Sequence, residues 1–306
     1  MKRNNLKGSL ILCLAALIWG LAFVAQSKAA NVPSFLINAL RSTISVPFLY
    51  VLYKITNRKT KEPLFPKDKK KLKTVLLGSA VCGVFLTIAT NFQQFGIAFY
   101  PDTAPVEAHA GFITALYVII VPIMSLFIYK KLSPIVMGAA IIALVGFYFL
   151  CLKNGLGGIY TGDILVLICA FAFSLQIIAI DKYVGEIGGI RLSLLQFLVV
   201  AVLSAIMSAI FEHSQIVWKD VLSAALPILY LGIMSSGVAY TLQIVGQKYA
   251  EPAVASISMS LESVFAALGG WIIVGNDLSV NEIIGCMLVF SAIIIAQIPE
   301  FFKKNT

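Results

Sequence analysis

Four ionisable side chains lie inside long apolar runs of this sequence. Arg41 is the one residue among 23 Lys and Arg that does not fall at the end of an apolar run. Glu107 and His109 lie in the first two turns of another run, and Glu262 lies close to the middle of a third. Charged groups are costly in lipid, so they usually face a bundle interior or a wet cavity. These residues are candidates for cargo binding, and Glu262, Glu107 and His109 are candidates for proton coupling.

Two structural alternatives stay open for these groups. Glu107 and His109 lie near one end of their run, where both could be partly hydrated. Arg41 and Glu107 are at comparable depth from the same side of the membrane, so they could also form a structural ion pair. Glu262 has no such neighbour in the sequence and is the most deeply placed acid.

Two polar stripes recur at helical spacing. Each has three members at i, i+4 and i+7, and a shift of 149 residues carries one set onto the other. The sets are Thr87, Asn91 and Gln94, and Ser236, Tyr240 and Gln243. Because hydrogen-bonding side chains in lipid need partners or water, the stripes predict two walls of one polar cavity. The alternative is that they join neighbouring helices without touching cargo.

Ten apolar segments carry these residues, and each is long enough to cross a bilayer core of about 30 Å. We number them segments 1 to 10: 8–28, 34–54, 74–97, 103–129, 133–152, 162–183, 191–211, 221–246, 252–275 and 279–298. With 59% hydrophobic and 12% charged residues, the chain is predicted to be an all-α membrane protein with ten transmembrane helices.

The charges indicate topology and not nucleic-acid binding. With a cytoplasmic N-terminus, 19 Lys and Arg lie on the inside and three on the outside. The positive-inside rule therefore predicts that both termini are cytoplasmic, in the plasma membrane. The five cysteines lie in apolar runs without a CxxC pair, which indicates neither disulfides nor a metal site.

The chain contains two similar halves. Residues 8–28 align with residues 162–182 without a gap, so that Gly8 meets Gly162 and Trp19 meets Phe173. We therefore divide the chain into 1–153 and 154–306. Because each half has five segments, the second must enter the membrane in the opposite sense, which is the inverted repeat of many secondary transporters.

Three motifs resemble those of a known family. They are AALIWG at 15–20, AGFITALYVIIVP at 110–122 and SLESVFAAL at 260–268. Together they are similar to the drug/metabolite transporter superfamily, in particular its EamA-type ten-span members. The resemblance implies an inverted five-plus-five bundle around a cavity lined by segments 1–4 and 6–9. The chain departs from the family pattern at Ser263, where a proline is common, and at Glu107 and His109, where small or neutral residues are common.

These observations predict a secondary transporter of a small polar metabolite, with an amino acid or related zwitterion as cargo and export as the favoured direction. No cofactor, metal or catalytic set is expected. The predicted substrate-binding residues are Trp19, Arg41, Asn91, Gln94, Glu107, His109, Tyr240, Gln243 and Glu262. The expected partners are the cargo and the bilayer, and a homodimer is one option. The alternatives are a non-transporting membrane scaffold and an intramembrane lipid-modifying enzyme, for which the sequence offers no nucleophile–base motif.

Overall fold

The computed structural model describes residues 4–58, 62–100, 106–130, 133–151, 160–269 and 279–304, and contains no strand in these ranges. Segments 1 to 3 form helices Asn5–Lys28, Ser34–Thr56 and Lys69–Ala98. Segment 4 forms two helices, Val106–Ala115 and Tyr117–Tyr129, and segment 5 forms Pro134–Cys151. The all-α prediction is confirmed.

The second half repeats this order. Segments 6 and 7 form helices Thr161–Ile187 and Gly189–Phe211, followed by a 3₁₀ turn at His213–Gln215. Segment 8 consists of Trp218–Ser223, Ala225–Tyr230, a π-helical stretch Leu231–Ala239, and Tyr240–Gln247. Segment 9 forms Pro252–Met259 and Leu261–Gly269, and segment 10 forms Val280–Lys304.

Eight of the described helical stretches are long and apolar enough to cross a membrane. The apolar part of segment 5, Pro134–Phe149, is shorter, and the described part of segment 9 ends at residue 269. The chain is therefore a multi-pass membrane protein, and the count of exactly ten spans stays a prediction.

Segments 2 and 7 run antiparallel against each other. At one end, Phe35 at the start of segment 2 donates its N–H to Glu212, which follows segment 7. At the other end, Arg191 at the start of segment 7 pairs with Glu62, which follows segment 2. Because segments 2 and 7 correspond in the two halves, their opposite directions are those of an inverted repeat. We call the Glu212 end the outer face and the Glu62 end the inner face, after the predicted topology.

Glycines allow the same close helix contact in both halves. A Cβ on Gly162 of segment 6 would lie 2.8 Å from the carbonyl oxygen of Gly96 in segment 3. A Cβ on Gly8 of segment 1 would lie 2.9 Å from the carbonyl oxygen of Gly246 in segment 8. Both distances exclude a side chain, so the sequence alignment of Gly8 with Gly162 corresponds to equivalent packing.

Segments 5 and 10 pack on each other beside the rest of the bundle. A Cβ on Gly146 would lie 2.9 Å from Val289, which shows how closely the two helices approach. Their buried side chains form one apolar cluster that includes Phe147 and Ala292. Most of the buried polar side chains lie between the other segments.

Candidate functional site

A central cavity lies among seven segments, and most of its lining is aromatic or polar. The lining residues are Trp19, Ala22, Phe23, Gln26, Arg41, Gln93, Thr114, Tyr117, Phe173, Ile177, Ser235, Tyr240, Gln243, Met259 and Glu262. Segments 1–4, 6, 8 and 9 contribute these side chains, so the expected lining by segments 1–4 and 6–9 holds except for segment 7.

Arg41 is buried beside two hydroxyl groups. Its side chain is 4% exposed, its Nε donates to Ser236 Oγ at 2.9 Å, and its Nη2 donates to Ser235 Oγ at 2.9 Å. Among the described residues, no carboxylate forms an ion pair with this guanidinium. A guanidinium has five N–H donors in a planar fork that matches a carboxylate. Arg41 therefore presents at the cavity a positive charge that no described carboxylate neutralises.

The π-helical stretch of segment 8 places the two serines opposite Arg41. π-Helical turns are rare and occur frequently at functional sites. Gly232 and Gly237 lie in this stretch, and a Cβ at either would lie 2.7 Å from Ile44 or Phe48 of segment 2. The glycines thus allow segment 8 to approach segment 2 closely enough for the hydrogen bonds to Arg41.

Glu262 is the acid of the cavity. It is 7% exposed, and its Oε1 accepts a hydrogen bond from Tyr117 Oη at 3.1 Å. Each of these residues lies just after a local distortion of its helix, at Leu116 in segment 4 and at Ser260 in segment 9, where the backbone angles stay right-handed helical.

The distortion in segment 9 has a local cause in its serines. The hydroxyls of Ser256, Ser258 and Ser260 donate to backbone carbonyls three or four residues earlier, at 2.6–2.9 Å. Such back-bonding competes with the helical ladder and bends helices. In segment 4, Leu116 N–H bonds to Ile113 at i−3 instead of i−4, which is the tighter 3₁₀ pattern.

Aromatic side chains form a second part of the lining. The rings of Trp19 and Tyr240 meet edge to face with centroids 4.8 Å apart, and Tyr240 packs in the same way on Phe197 at 5.3 Å. Among the described residues, Trp19 Nε1 is buried without a hydrogen-bond partner. Trp19 thus lines the cavity, and its buried indole donor is left without a described partner.

A chain of buried amides orients Gln243. Its Nε2 donates to Gln176 Oε1 at 3.1 Å, and Gln176 Nε2 donates to Gln196 Oε1 at 3.4 Å. Within the described part of the chain, Gln243 Oε1 has no partner. The amide chain therefore leaves one buried acceptor of a cavity-lining residue without a partner among the described residues.

A related amide network joins segments 1, 3 and 4. Gln26 Nε2 donates to Gln93 Oε1 at 3.2 Å and to Gln94 Oε1 at 3.3 Å. Gln93 Nε2 in turn donates to Thr114 Oγ1 at 3.3 Å. Gln26, Gln93 and Thr114 line the cavity, whereas Gln94 lies behind them.

The structure brings five of the nine predicted site residues together at the cavity: Trp19, Arg41, Tyr240, Gln243 and Glu262. Asn91 and Gln94 do not line it. Asn91 accepts from Asn38 at 3.1 Å and donates to Ser204 at 3.1 Å, so it connects segments 2, 3 and 7. In the first half, the stripe thus joins helices, and only in the second half does it form a cavity wall.

Glu107 and His109 belong to the helix Val106–Ala115, but their side chains lie outside the described residues. Their predicted roles in cargo binding and coupling therefore stay predictions. The same holds for the alternative of an Arg41–Glu107 ion pair.

Sequence analysis missed five polar lining residues: Gln26, Gln93, Thr114, Tyr117 and Ser235. Thr114 and Tyr117 lie inside the AGFITALYVIIVP motif, and this was the signal that could have identified them. Ser235 is adjacent to the stripe residue Ser236 and reaches Arg41 because the π-helical turn carries both.

The cavity is narrow. Its volume is about 50 Å³, which is room for roughly three to five waters at 10–15 Å³ of such volume each. It combines one cation, one acid and unpaired donor and acceptor groups within an aromatic lining. Such a site can bind a small polar molecule through groups of both charges once it widens.

The chain is similar in sequence to known transporters. The sequence profile of the EamA-like transporter family matches residues 6–152 and again residues 160–297. An uncharacterized transporter of Archaeoglobus fulgidus is 29% identical over 297 residues, covering 96% of this chain and 87% of that protein. The fold is similar to that of a solved structure titled "Crystal structure of protein". The two superpose with a TM-score of 0.75 and are 22% identical in sequence, over 95% of this chain and 96% of that chain. The chain therefore belongs to the EamA-like transporter family, with one copy of the family repeat in each half.

Proposed function

We propose that this protein is a secondary transporter of small zwitterions, with amino acids as the best candidates. The observation that carries the proposal is the presence of Arg41 and Glu262 on the lining of one buried cavity. A zwitterion can satisfy both: its carboxylate binds Arg41 and its ammonium group binds Glu262.

The hydrogen bonds of Arg41 support the carboxylate side of the proposal. Two neutral hydroxyls use two of the five guanidinium donors and add no negative charge. A buried cation without a counter-ion is costly, and a carboxylate ligand offsets that cost by a bidentate, charge-assisted pair. An uncharged cargo offers no such compensation.

The position of Glu262 supports the ammonium side and a role in coupling. Tyr117 occupies one of its oxygens, which leaves further acceptor sites for an ammonium group or a proton. A carboxyl that binds either the ammonium group or a proton exchanges the two across the membrane. With protons flowing inward, this exchange drives cargo outward, so we propose proton-coupled export across the plasma membrane by alternating access.

A thermal-shift screen on detergent-purified protein tests the cargo class, since a ligand that binds the folded state raises its melting temperature. The panel contains amino acids, the matching amines without a carboxylate, the matching carboxylates without an amine, and nucleosides. We expect stabilisation by amino acids above either matching set. Equal stabilisation by amines and amino acids would contradict the role of Arg41, and stabilisation by nucleosides alone would reject the cargo class.

A further inference from the structure

Two acids occupy corresponding places at opposite faces of the bundle. Glu62 follows segment 2 on the inner face, and Glu212 follows segment 7 on the outer face. They are not aligned residues: Glu212 directly follows the helix Gly189–Phe211, whereas Glu62 lies six residues after the helix Ser34–Thr56. We propose that Glu62 and Glu212 form a pair of latches, each of which must open for the cavity to open at its own face. This inference rests on the proposed alternating-access function.

The outer latch is a carboxylate bound to the start of a helix from the other half. Glu212 Oε1 accepts the backbone N–H of Phe35, and its Oε2 accepts that of Leu36, both at 2.9 Å. These first-turn N–H groups have no acceptor within their own helix, and Pro33 before the helix makes no side-chain cap. The negative charge also lies at the positive end of the helix dipole. Segment 2 is thus capped by the second half of the protein.

The inner latch is the ion pair between Glu62 and Arg191, the third residue of the helix Gly189–Phe211. The backbone carbonyl of Glu62 accepts from Tyr53 Oη and Asn57 Nδ2, each at 2.5 Å, which ties it to the end of segment 2. Gly188, with φ of +87°, forms the one-residue turn before that helix and so brings Arg191 to this face.

The two latches hold the same pair of segments at its two ends. In each, the acid that follows one segment binds the first turn of the corresponding segment in the other half. If one half rocks against the other about the midplane, segments 2 and 7 must separate at one end while they stay together at the other. Both latches are made in this structure, and the cavity between them is narrow. In this structure, segments 2 and 7 are therefore held together at both ends.

The two latches differ in burial. Glu212 is 4% exposed, whereas the side chain of Glu62 is 61% exposed. In the inner pair the side chain of Arg191 is 9% exposed, so Arg191→Ala leaves only an exposed carboxylate behind, whereas loss of Glu212 leaves two first-turn N–H groups without an acceptor. The outer latch is therefore the stronger of the two, and loss of Glu212 shifts the conformational equilibrium more than loss of the inner pair.

Distances between spin labels test the proposal without any cargo. The five native cysteines are first replaced by alanine. One label pair then spans the outer face at exposed positions Asn31 and Gln215, and another spans the inner face at Thr56 and Gly185, where a side chain meets no neighbour within 4 Å. Double electron–electron resonance gives the distance distribution at each face.

We expect Glu212→Ala to add a longer-distance population at the outer face and leave the inner distribution unchanged. Arg191→Ala should do the reverse, with a smaller population change. Asp220→Ala and Glu186→Ala are matched controls that remove an acid near the outer and inner face, and they should change neither distribution. If Glu212→Ala does not fold, Glu212→Gln retains one acceptor and should give a smaller outer shift in the same direction.

Exchange of the inner charges provides a rescue. Glu62→Arg combined with Arg191→Glu should restore the inner distribution that Arg191→Ala broadens. The proposal is wrong if the Glu212 and Arg191 variants change the same face, or if both keep the wild-type distributions. Because no cargo is present, either result is independent of the ligand screen, which alone decides the cargo class.

Discussion

Arg41→Met separates a binding role of the guanidinium from a structural one. Methionine has a similar length and no charge, so the change removes the cation while it keeps most of the packing. If Arg41 binds the carboxylate of cargo, affinity for amino acids should fall sharply and stability should change little. If Arg41 instead holds segments 2 and 8 together, stability should fall and the affinity of the remaining folded protein should not.

The expected changes in stability and affinity follow from the contacts of Arg41. The change removes two hydrogen bonds from a charged donor, worth about 1.5–3 kcal/mol each. It also removes the desolvation cost of a cation that is 4% exposed, which is several kcal/mol. These effects oppose each other, so we expect a net stability change within about 2 kcal/mol. Loss of a buried, hydrogen-bonded charge pair costs about 2–5 kcal/mol of binding, or roughly 30- to 5,000-fold in Kd.

Titration calorimetry with an amino acid and its matching amine measures this effect. The wild type should prefer the amino acid, and Arg41→Met should bind both ligands alike. Ser235→Ala is the control: it removes one acceptor from Arg41, should cost about 1–3 kcal/mol of stability, and should keep the preference for a carboxylate. A loss of more than about 4 kcal/mol of stability in Arg41→Met, with unchanged amino-acid affinity, would refute the binding role.

Two further predictions concern the polar stripes and the topology. Gln243→Ala should weaken cargo binding because it removes an acceptor of a cavity-lining side chain. Gln94→Ala should leave affinity unchanged, because Gln94 lies behind the lining. It should cost about 1–2 kcal/mol of stability, since the side-chain oxygen of Gln94 accepts a hydrogen bond from Gln26. Calorimetry and thermal melts of the two variants distinguish these effects, and equal loss of affinity in both would contradict the assignment. A cysteine at Phe65 should resist membrane-impermeant maleimide applied to intact cells, and a cysteine at Gly157 should react; the opposite pattern would invert the topology.

Residue type and depth were enough to predict that Arg41 and Glu262 lie in a polar interior. A charge inside an apolar run has few places to lie other than a polar interior, which is why Arg41 and Glu262 were identifiable from the sequence. The repeated stripe likewise identified Tyr240 and Gln243. The presence of two repeats also followed from the internal sequence similarity.

Periodicity did not determine which neighbour covers each polar face. Asn91 shares a helix face with Gln94, but Asn38 and Ser204 cover Asn91 from segments 2 and 7. Gln93, which lies about 100° from Gln94 around the helix axis, lines the cavity instead. Whether a polar side chain lines the cavity or is covered by another helix depends on contacts between segments that are distant in the sequence.

The helix distortions were also beyond sequence analysis. The distortion at Ser260 depends on how serine hydroxyls divide between backbone carbonyls and neighbouring helices. The contact of Tyr117 with Glu262 joins residues 145 positions apart, after one distortion in each half. The sequence around Tyr117 and around Glu262 does not predict that the two residues are in contact.

Uptake by purified protein in sealed vesicles tests the central claim most directly. With a pH gradient imposed, the wild type should concentrate a labelled amino acid on the acidic side, in exchange for protons. Glu262→Gln should bind the ammonium group more weakly, through its amide oxygen, and should still exchange labelled for unlabelled amino acid at high concentration, but should not concentrate it. Glu186→Gln, which removes an exposed acid outside the cavity, is the control, and we expect it to accumulate cargo as the wild type does. Accumulation by Glu262→Gln at the wild-type level would exclude Glu262 as the coupling group, and absence of amino-acid movement by the wild type would contradict the proposed function itself.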